Sequence, residues 1–283
     1  MTWTIRSVIT WAKGYLKEKG SDSPRLDAEL LLAHVLGKER ISLYLDMDKP
    51  LAEEELAAYR ALLKRRSEKE PIAYILGHKE FYSHDFAVNR HVLIPRPDTE
   101  LLVEKAVELA PKESEIFEIG VGSGAVIASI LLERQDLVAY GNDISMDALR
   151  VARENADRLG ISERLFLFAG DTFKGVKKGF LTVVVNPPYI AETEKHSMKD
   201  DVLLYEPTNA LFAGNEGLDI IQEIVTRIPE HLLPGGRLIM EVGYDQREAV
   251  EKMVSSSKGL TLLLWAKDLA GIDRAVIVER THG

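Results

Sequence analysis

The chain has 283 residues, of which 46% are hydrophobic and 29% are charged, and its formal net charge is −9. This composition is that of an ordinary globular protein with room for about two domains, and it excludes the disordered and fibrous classes. The negative charge argues against a protein that binds nucleic acid over its whole surface, because contacts between basic side chains and phosphates supply most non-specific affinity.

Cysteine is absent, which excludes disulfides, thiolate nucleophiles and cysteine-ligated metal centres. The histidines lie far apart except for His78 and His84, and a solvated loop explains that pair better than a metal site does. No segment reaches the ~18 apolar residues of a membrane helix, and the first residues lack the apolar region of a signal peptide. We therefore expect a cytoplasmic protein with no metal and no membrane partner.

From Trp3 to about residue 69 the apolar residues recur at helical spacing, which predicts an all-α region. Ser23-Pro24 is typical of a helix start and Gly37 of its end. A further helix is expected over about residues 53–66, because acidic residues fill its first turn and basic residues fill its last. The helix dipole explains those basic residues better than nucleic-acid binding does.

Between Pro71 and Pro97 the pattern changes to short apolar pieces, as in Ile72-Ala73-Tyr74-Ile75 and Phe86-Ala87-Val88, which are separated by turn residues. This pattern predicts a β-hairpin that links two domains. We therefore expect a small all-α domain over residues 1–70, a hairpin linker over 71–97 and a larger domain over 98–283.

From Ile116 onward strands and helices alternate, which predicts an α/β fold with a mostly parallel sheet and crossover helices. Strands are expected at about 115–119, 137–142, 164–169, 181–186, 236–241, 260–265 and 274–280. Helices are expected over Leu101–Leu109, Val126–Glu133, Leu218–Ile228 and Gln246–Val254, with another starting near Ser145.

The first of these strands ends in a glycine-rich run. Glycines let the backbone turn tightly and approach a ligand closely, and with Ala125 in the last place the run also fits a dinucleotide fingerprint. Taken alone it is a weak sign of an adenosine-type cofactor over the turn, and a merely tight turn is the alternative. The candidate cofactor-binding residues here are Glu118, Gly120, Val121, Gly122, Ser123 and Gly124.

Acidic residues follow the next two strands. Asp143 lies 19 residues after Gly124, near the spacing at which a carboxylate binds the ribose hydroxyls of a cofactor, although it could instead cap the helix that starts near Ser145. Asp171, beside Thr172, lies where a carboxylate could accept a hydrogen bond from the exocyclic amine of adenine. A turn aspartate is the alternative there.

The fourth strand ends at Asn186-Pro187-Pro188-Tyr189, because the prolines cannot donate to a sheet and hold φ near −65°. A strand followed by a tight turn is the simple explanation. The carboxyl ends of strands are, however, where open α/β sheets bind ligands. The functional interpretation makes Asn186, Pro187 and Tyr189 catalytic and all four residues substrate-binding.

This tetrapeptide offers no acid–base pair beyond a tyrosine, which disfavours hydride transfer. It suits a planar –NH₂ group instead, since Asn186 Oδ1 and the Pro187 carbonyl could accept its two N–H bonds while Tyr189 stacks on its flat face. Such catalysis works by positioning and preorganised dipoles. Together with the glycine loop and Asp143, the motif points to N-methylation that depends on S-adenosylmethionine, with S-adenosylhomocysteine as product.

The segment Ile94-Pro95-Arg96-Pro97-Asp98-Thr99-Glu100 leads into the helix that follows it. One interpretation is a helix start that Asp98 or Thr99 caps. The other is that Arg96 and Glu100 face a ligand, which makes them candidate substrate-binding residues.

The chain resembles the glutamine N5-methyltransferases of peptide chain release factors, the HemK/PrmC type. The resemblance extends over nearly the whole chain and rests on the helical N-terminal region, the glycine loop and several specific motifs. These motifs are Pro71–Gly77, Leu93–Glu100, Asn186–Ile190, Tyr205-Glu206-Pro207, Ala210-Leu211, Gly214, Glu216–Asp219, Glu241-Val242-Gly243, Gln246, Asp268–Gly271 and Arg274.

The resemblance implies a class I methyltransferase fold, Rossmann-like with seven strands, and a helical domain that docks a release factor. The methyl acceptor would be the glutamine of that factor's Gly-Gly-Gln motif, with no direct binding of nucleic acid. By position, Gly120–Gly124 and Asp143 would bind the cofactor, Asn186 would touch cofactor and substrate, and Pro187–Tyr189 would hold the glutamine side chain.

Two positions depart from the family pattern: Glu118 stands where aspartate is common, and Val121 where a small hydroxyl residue is usual. Glu118 can still reach a ribose or the methionine amine. Two other functions stay open. An adenine N6-methyltransferase needs a basic, base-flipping surface, and a non-catalytic scaffold would not need Asn186 and Tyr189.

Overall fold

The computed structural model describes residues 2–281, so Met1, His282 and Gly283 lie outside the described part. The chain forms two compact units. One comprises the chain up to Gly77 together with Lys199–Tyr205, and the other comprises His78–Met198 and the chain from Glu206 onward. The domain boundaries predicted at residues 70 and 97 differ from this division, and the predicted separation of docking, linker and catalytic parts stays a prediction.

Residues 2–281 contain eleven α-helices and nine β-strands. No helix in this part of the chain combines the length and the apolar character that a membrane crossing needs. The helices are α1 (Ile5–Glu18), α2 (Pro24–Val35), α3 (Ser42–Leu45), α4 (Glu53–Ser67), α5 (Ile72–Leu76), α6 (Glu100–Leu109), α7 (Ala125–Glu133), α8 (Met146–Leu159), α9 (Asp200–Tyr205), α10 (Asp219–His231) and α11 (Arg247–Ser256). The strands are β1 (His78–Phe81), β2 (His84–Ala87), β3 (Glu115–Ile119), β4 (Val138–Asp143), β5 (Leu165–Ala169), β6 (Phe180–Val185), β7 (Leu232–Glu241), β8 (Leu260–Lys267) and β9 (Asp273–Arg280).

The first unit is helical, as predicted, and its apolar stripes meet in one core. The basic residues at the end of α4 are held by carboxylates of the same unit. Arg65 lies 2.6 Å from Glu70, and Arg66 lies 2.8 Å from the buried Asp27. These ion pairs agree with the interpretation of the basic residues as part of a helix end.

The predicted hairpin is present but shorter than expected, since its strands occupy only residues 78–87. The expectation of a strand at Ile72–Ile75 is wrong. These residues belong to the short helix α5, which begins after Pro71 and ends at Gly77, where a left-handed φ of +82° stops the helix.

The second unit is built on a seven-stranded sheet with the order β5-β4-β3-β6-β7-β9-β8. Neighbours from β5 to β7 are parallel, and β9 runs antiparallel to both β7 and β8. All seven strands predicted from sequence are confirmed. The largest difference in bounds is at β7, which begins at Leu232 because this residue already pairs with Phe180 ahead of an irregularity in the ladder.

Helices cover both faces of this sheet, and successive strand residues point to opposite faces. In β6, Val184 packs in the core on the side of α6 and α7, whereas Val183 and Val185 pack in the core on the side of α10 and α11. All three valines are fully or almost fully buried. A continuous β-branched run is what a strand buried on both faces requires.

The order in which the chain adds strands to the sheet reverses between β3 and β6. Strands β4 and β5 follow β3 on one side, and the chain then crosses to place β6 on the other side. The loops that follow β3 and β6 therefore lead away from each other. A crevice lies between these loops, at the carboxyl ends of the two strands.

Asn155 on α8 connects the hairpin with the glycine-rich loop. It is fully buried, and its Nδ2 donates to the carbonyls of Ser123 at 2.9 Å and Ala87 at 3.0 Å. Its Oδ1 accepts a hydrogen bond from Ala87 N at 2.8 Å. The side chain thereby binds three backbone groups, two on Ala87 at the end of β2 and one on Ser123 in the glycine-rich loop.

We expect Asn155→Ala to lower the free energy of unfolding by about 2 to 4 kcal/mol, because it leaves buried backbone groups without partners. Urea denaturation measures the loss. Asn215→Ala is the control: this exposed side chain has no hydrogen bond among the described residues, and we expect a change below about 0.5 kcal/mol. Equal stability of the two variants would contradict the assigned role.

Candidate active site

A cavity of about 190 Å³ lies at the carboxyl ends of β3, β4 and β6. This is the crevice that the sheet order opens. Most residues proposed from the sequence line it, namely Arg96, Glu118, Gly120, Val121, Gly122, Ser123, Asp143, Asp171, Thr172, Asn186, Pro187 and Pro188. Gly124, Tyr189 and Glu100 do not line it.

The glycine loop turns from β3 into α7 with its backbone open to the cavity. At Gly122 φ is +53°, and a Cβ built there meets nothing within 4 Å. At Gly124 φ is +77°, and a Cβ would lie 3.2 Å from the Cβ of Ala152 on α8. One glycine thus leaves space for a ligand, and the other lets two elements pack closely.

Glu118 stands at the end of β3 and is buried. Its Oε2 accepts a hydrogen bond from the Ile127 N–H at 3.0 Å, near the start of α7. Burial raises the pKa of Glu118 well above its ordinary value, and the nearby Asp143 adds to the rise, while the bond from Ile127 opposes it. A cationic group in the cavity would favour the ionised carboxylate.

Asp143 binds the glycine loop to the start of α8. Its Oδ2 accepts from Gly122 N at 2.9 Å, and its Oδ1 accepts from Ser145 N at 2.8 Å. The cap of α8 is Ser145, whose hydroxyl accepts from Ala148 N at 3.1 Å, so the alternative of Asp143 as the cap is wrong. Each carboxylate oxygen keeps a lone pair for a ligand.

The residues that follow β5 form an irregular part of the cavity wall. Thr172 has a left-handed φ of +46°, and its carbonyl accepts from Asn142 Nδ2 at 2.7 Å. Its hydroxyl donates to Glu223 at 2.6 Å. The hydroxyl of Thr172 is therefore already engaged, whereas the carboxylate of Asp171 has no partner among the described residues and lines the cavity.

The carboxamide of Asn186 is held on one side only. Its Nδ2 donates to the hydroxyl of Thr99 at 3.2 Å. Within residues 2–281, no donor is recorded for Asn186 Oδ1 or for the carbonyl of Pro187, although both residues line the cavity. These two oxygens form a pair of free acceptors at the end of β6.

Tyr189 lies behind the cavity wall. Its ring packs on the apolar core under α10 and α11, its hydroxyl donates to Glu241 Oε1 at 3.2 Å, and its carbonyl accepts from Gln246 Nε2 at 2.9 Å. Burial and the adjacent Glu241 raise the pKa of the Tyr189 phenol. In this geometry the ring does not present a face to the cavity, unlike in the stacking arrangement expected from the sequence.

Arg96 and Glu100 have different surroundings. Arg96 lines the cavity, and its Nη2 lies 2.5 Å from Oε1 of the buried Glu206, whose Oε2 also accepts from Ile94 N at 3.2 Å. Glu100 instead accepts from Tyr82 N at 2.8 Å, at the turn of the hairpin. Glu206 thus fixes the strand-like segment that carries Arg96.

The charged groups of the cavity favour a cation. Glu118, Asp143 and Asp171 contribute carboxylates, and the one guanidinium, that of Arg96, is already paired with Glu206. Among the described residues no group of acidic or histidine side chains has the arrangement of a metal site. An adenosyl ligand with a positively charged sulfur and amine fits this lining.

The sequence predicts no role in the site for three residues near Asn186–Tyr189. Thr99 fits a helix cap, and Glu241 and Gln246 are only parts of the motifs that carry the family resemblance. A charged residue at the end of the apolar run Leu238-Ile239-Met240 is a signal that could have indicated Glu241, because such a strand end faces the ligand edge of the sheet.

Family models match both parts of the chain: the PrmC N-terminal domain matches residues 7–77 and the methyltransferase small domain matches residues 97–216. A release factor glutamine methyltransferase of Geobacter sulfurreducens is 43% identical over 275 residues, which cover 97% of this chain and 96% of that protein. The chain belongs to the release factor glutamine methyltransferase family. The protein of this name from Vibrio cholerae is 41% identical over 98% of this chain and 97% of its own length.

A solved structure shows the fold independently. The crystal structure of a methyltransferase from Pyrococcus furiosus matches with a TM-score of 0.53 at 16% identity, and the match covers 79% of this chain and 98% of that chain. The predicted α/β fold class, with a seven-stranded and mostly parallel sheet, is confirmed. The methyltransferase fold and the acidic cavity together indicate a methyl donor of the S-adenosylmethionine type.

We expect Asp143→Ala to weaken the binding of S-adenosylmethionine about 10- to 100-fold, because the loop loses a charged acceptor that orders it. Isothermal titration calorimetry measures the affinity. The control is Asp157→Ala on α8, whose side chain is 58% exposed and should leave affinity unchanged. If both variants bound the cofactor as the wild type does, Asp143 would have no part in the site.

Proposed function

We propose that the protein transfers a methyl group from S-adenosylmethionine to the side-chain nitrogen N5 of the glutamine in the Gly-Gly-Gln motif of a peptide chain release factor. Membership of the release factor glutamine methyltransferase family supports the reaction class. The observation that carries the proposal is the pair of unpartnered acceptors, Asn186 Oδ1 and the Pro187 carbonyl, in the wall of an acidic cavity.

The cavity residues fit the proposed cofactor. The open space at Gly122 admits a ligand against the loop backbone, and Asp143 can accept from ribose hydroxyls while it holds the loop. Glu118 and Asp171 offer carboxylate oxygens to the amine of the methionine part and to the adenine edge. When bound, S-adenosylmethionine supplies a methyl group on a positively charged sulfur, which keeps the bonding electron pair as the methyl group leaves.

The task of the protein is to make a poor nucleophile attack. The lone pair of an amide nitrogen is delocalised, as the barrier of ~18–20 kcal/mol to rotation about such a bond shows. By accepting both N–H bonds, Asn186 and Pro187 fix the plane of the amide and aim its lone pair at the methyl carbon. The nitrogen gains the methyl group and gives up one proton to water.

Positioning and fixed dipoles suffice for this step in principle. The two acceptors polarise the N–H bonds, which raises the electron density on the nitrogen, and they place partial negative charge next to an atom that becomes positive in the transition state. The rigid corner made by Pro187 and Pro188 keeps these acceptors from relaxing. We therefore propose a transfer that needs no general base.

The release factor as partner belongs to the proposal, and so does the helical unit as the part that docks it. The match of residues 7–77 to the PrmC N-terminal domain supports this assignment. Methylation of adenine in nucleic acid has less support, since the charged lining is mainly acidic and the chain carries a net charge of −9. That nucleic acid is not bound directly remains a prediction.

A release factor with an intact Gly-Gly-Gln motif should take up labelled methyl groups in the presence of the enzyme. The variant in which the glutamine of that motif is alanine should take up none, because the acceptor nitrogen is missing. Scintillation counting of the purified factor measures the label. Equal labelling of the two factors, or labelling of duplex DNA that falls steeply with salt, would overturn the proposed substrate.

We expect Asn186→Ala to lower the single-turnover rate of methyl transfer by about 100-fold or more, as loss of one preorganised polar group does in other enzymes. Cofactor affinity should change far less, since Glu118 and Asp143 remain. Rapid-quench measurement of methyl transfer, together with calorimetry, separates the two effects. An unchanged single-turnover rate would remove Asn186 from the catalytic machinery.

A further inference from the structure

Thr172 has a backbone conformation that its side chain disfavours. It lies after β5 in the wall of the cavity, and its φ of +46° is in the left-handed region. A β-branched residue rarely adopts this region, because its side chain crowds the backbone there. Such a conformation persists only where the surrounding structure holds it, and conformations of this kind cluster at ligand sites.

Three side chains hold Thr172 in this conformation. Its hydroxyl donates to Glu223 Oε1 at 2.6 Å and accepts from Arg227 Nη1 at 3.2 Å. Its carbonyl accepts from Nδ2 of the buried Asn142 at 2.7 Å. The hydroxyl is therefore bound to α10 both as a donor and as an acceptor, while the carbonyl is bound to the end of β4.

Glu223 and Arg227 form an ion pair one turn apart on α10, with 2.9 Å between Arg227 Nη1 and Glu223 Oε1. Their side chains are 37% and 39% exposed, respectively, and an exposed pair of this kind adds little stability by itself. Neither residue lines the cavity. The pair is nevertheless bound to a strained residue of the cavity wall, so it can act on a ligand through Thr172.

The same helix also forms part of the cavity. Ile220 and Ile224 of α10 line it. Phe173, which follows Thr172, is buried, and its ring stacks on that of His231 at the end of α10, with 4.4 Å between the ring centroids. The turn after β5 is therefore joined to α10 at two successive residues, which fixes its position relative to the apolar wall.

This turn offers one acceptor and one donor. The carboxylate of Asp171 lines the cavity, and within residues 2–281 no hydrogen bond is recorded for the backbone N–H of Thr172. The edge of adenine carries the complementary pair, an exocyclic amine that donates and a ring nitrogen that accepts. Hypoxanthine has a carbonyl oxygen and a ring N–H at these places. The relative position of the two protein groups can therefore distinguish the two bases.

We propose that Glu223, together with Arg227, is a positioning residue of the cofactor site, which acts through Thr172 to set the turn after β5 so that it accepts adenine and rejects hypoxanthine. The inference deepens the proposed function and rests on its cofactor, not on its methyl acceptor. Without the acceptor on Glu223, the Thr172 hydroxyl loses its main contact with α10, and the turn can relax to a negative φ.

Isothermal titration calorimetry with S-adenosylhomocysteine and S-inosylhomocysteine, in which oxygen replaces the exocyclic amine, measures the preference for adenine. We expect the wild type to bind the adenosyl compound about 100-fold more tightly, because hypoxanthine mismatches two polar groups. Glu223→Ala and Thr172→Val should each reduce this preference about 10-fold. Glu223→Gln and Thr172→Ser should keep most of it, because they retain the acceptor and the hydroxyl.

Thr226→Val is the matched control, because the Thr226 hydroxyl bonds to Gln222 of the same helix and the residue does not line the cavity. It should keep the wild-type preference. The Glu223 side chain lies at the surface, so Glu223→Ala gives the result even if Thr172→Val does not fold. A wild type without preference, an unchanged preference in Glu223→Ala, or affinities for both compounds that fall by the same factor would overturn the inference.

Failure of the proposed function gives different results. If the wild type binds neither compound, the proposed cofactor is wrong and the inference fails with it. If the preferences follow the expected pattern but no release factor is labelled, the proposed methyl acceptor is wrong and the inference stands. If a release factor is labelled but Glu223→Ala keeps the wild-type preference, the proposed function stands and the inference alone fails.

Discussion

The site depends on the adjacency of β3 and β6, two parallel strands whose chain connections diverge. Their register places Ile119 opposite Val185, so the loops that follow begin at the same level of the sheet. One loop is rich in glycine and leaves its backbone open, and the other is stiffened by two prolines. A turn with an open backbone and a corner stiffened by two prolines therefore face one crevice.

Carboxylates hold this crevice in shape. Asp143 holds the glycine loop through the Gly122 N–H, and Glu206 holds the segment of Arg96 through Ile94 N. Glu241 lies behind the corner that Pro187 and Pro188 form after β6. Glu206 and Glu241 are buried, and carboxylates are costly to bury unless hydrogen bonds compensate them. Asp143, together with Glu118 and Asp171, lines the cavity and makes it favourable for a cation.

Much of the fold and of the candidate site was predictable from the sequence, because a strand buried on both faces has a continuous run of apolar residues. The strand at Val183-Val184-Val185, the glycine loop and Asp143 were all indicated by local composition and spacing. The apolar run Ile72–Leu76 gave a wrong prediction of a strand, since a short apolar run suits a strand as well as a helix. Pro71 before them and Gly77 after them decide for a helix.

The sequence could not predict whether a side chain near the site faces the cavity or the core, or which distant residue it contacts. Tyr189 follows the prolines directly, yet its ring packs into the core and its hydroxyl binds Glu241. Thr99 meets Asn186 across 87 residues of sequence, a contact that local patterns do not contain. Such contacts arise only when the ends of several strands come together.

We propose that Asn186 Oδ1 and the Pro187 carbonyl receive the two N–H bonds of a glutamine amide. A crystal structure of the protein with S-adenosylhomocysteine and a peptide containing Gly-Gly-Gln shows whether they do. We expect the glutamine side-chain nitrogen to lie about 3 Å from both oxygens, with its amide plane edge-on to them. A glutamine nitrogen that contacts neither oxygen, or a carboxamide of Asn186 that turns its –NH₂ toward the substrate, would contradict it.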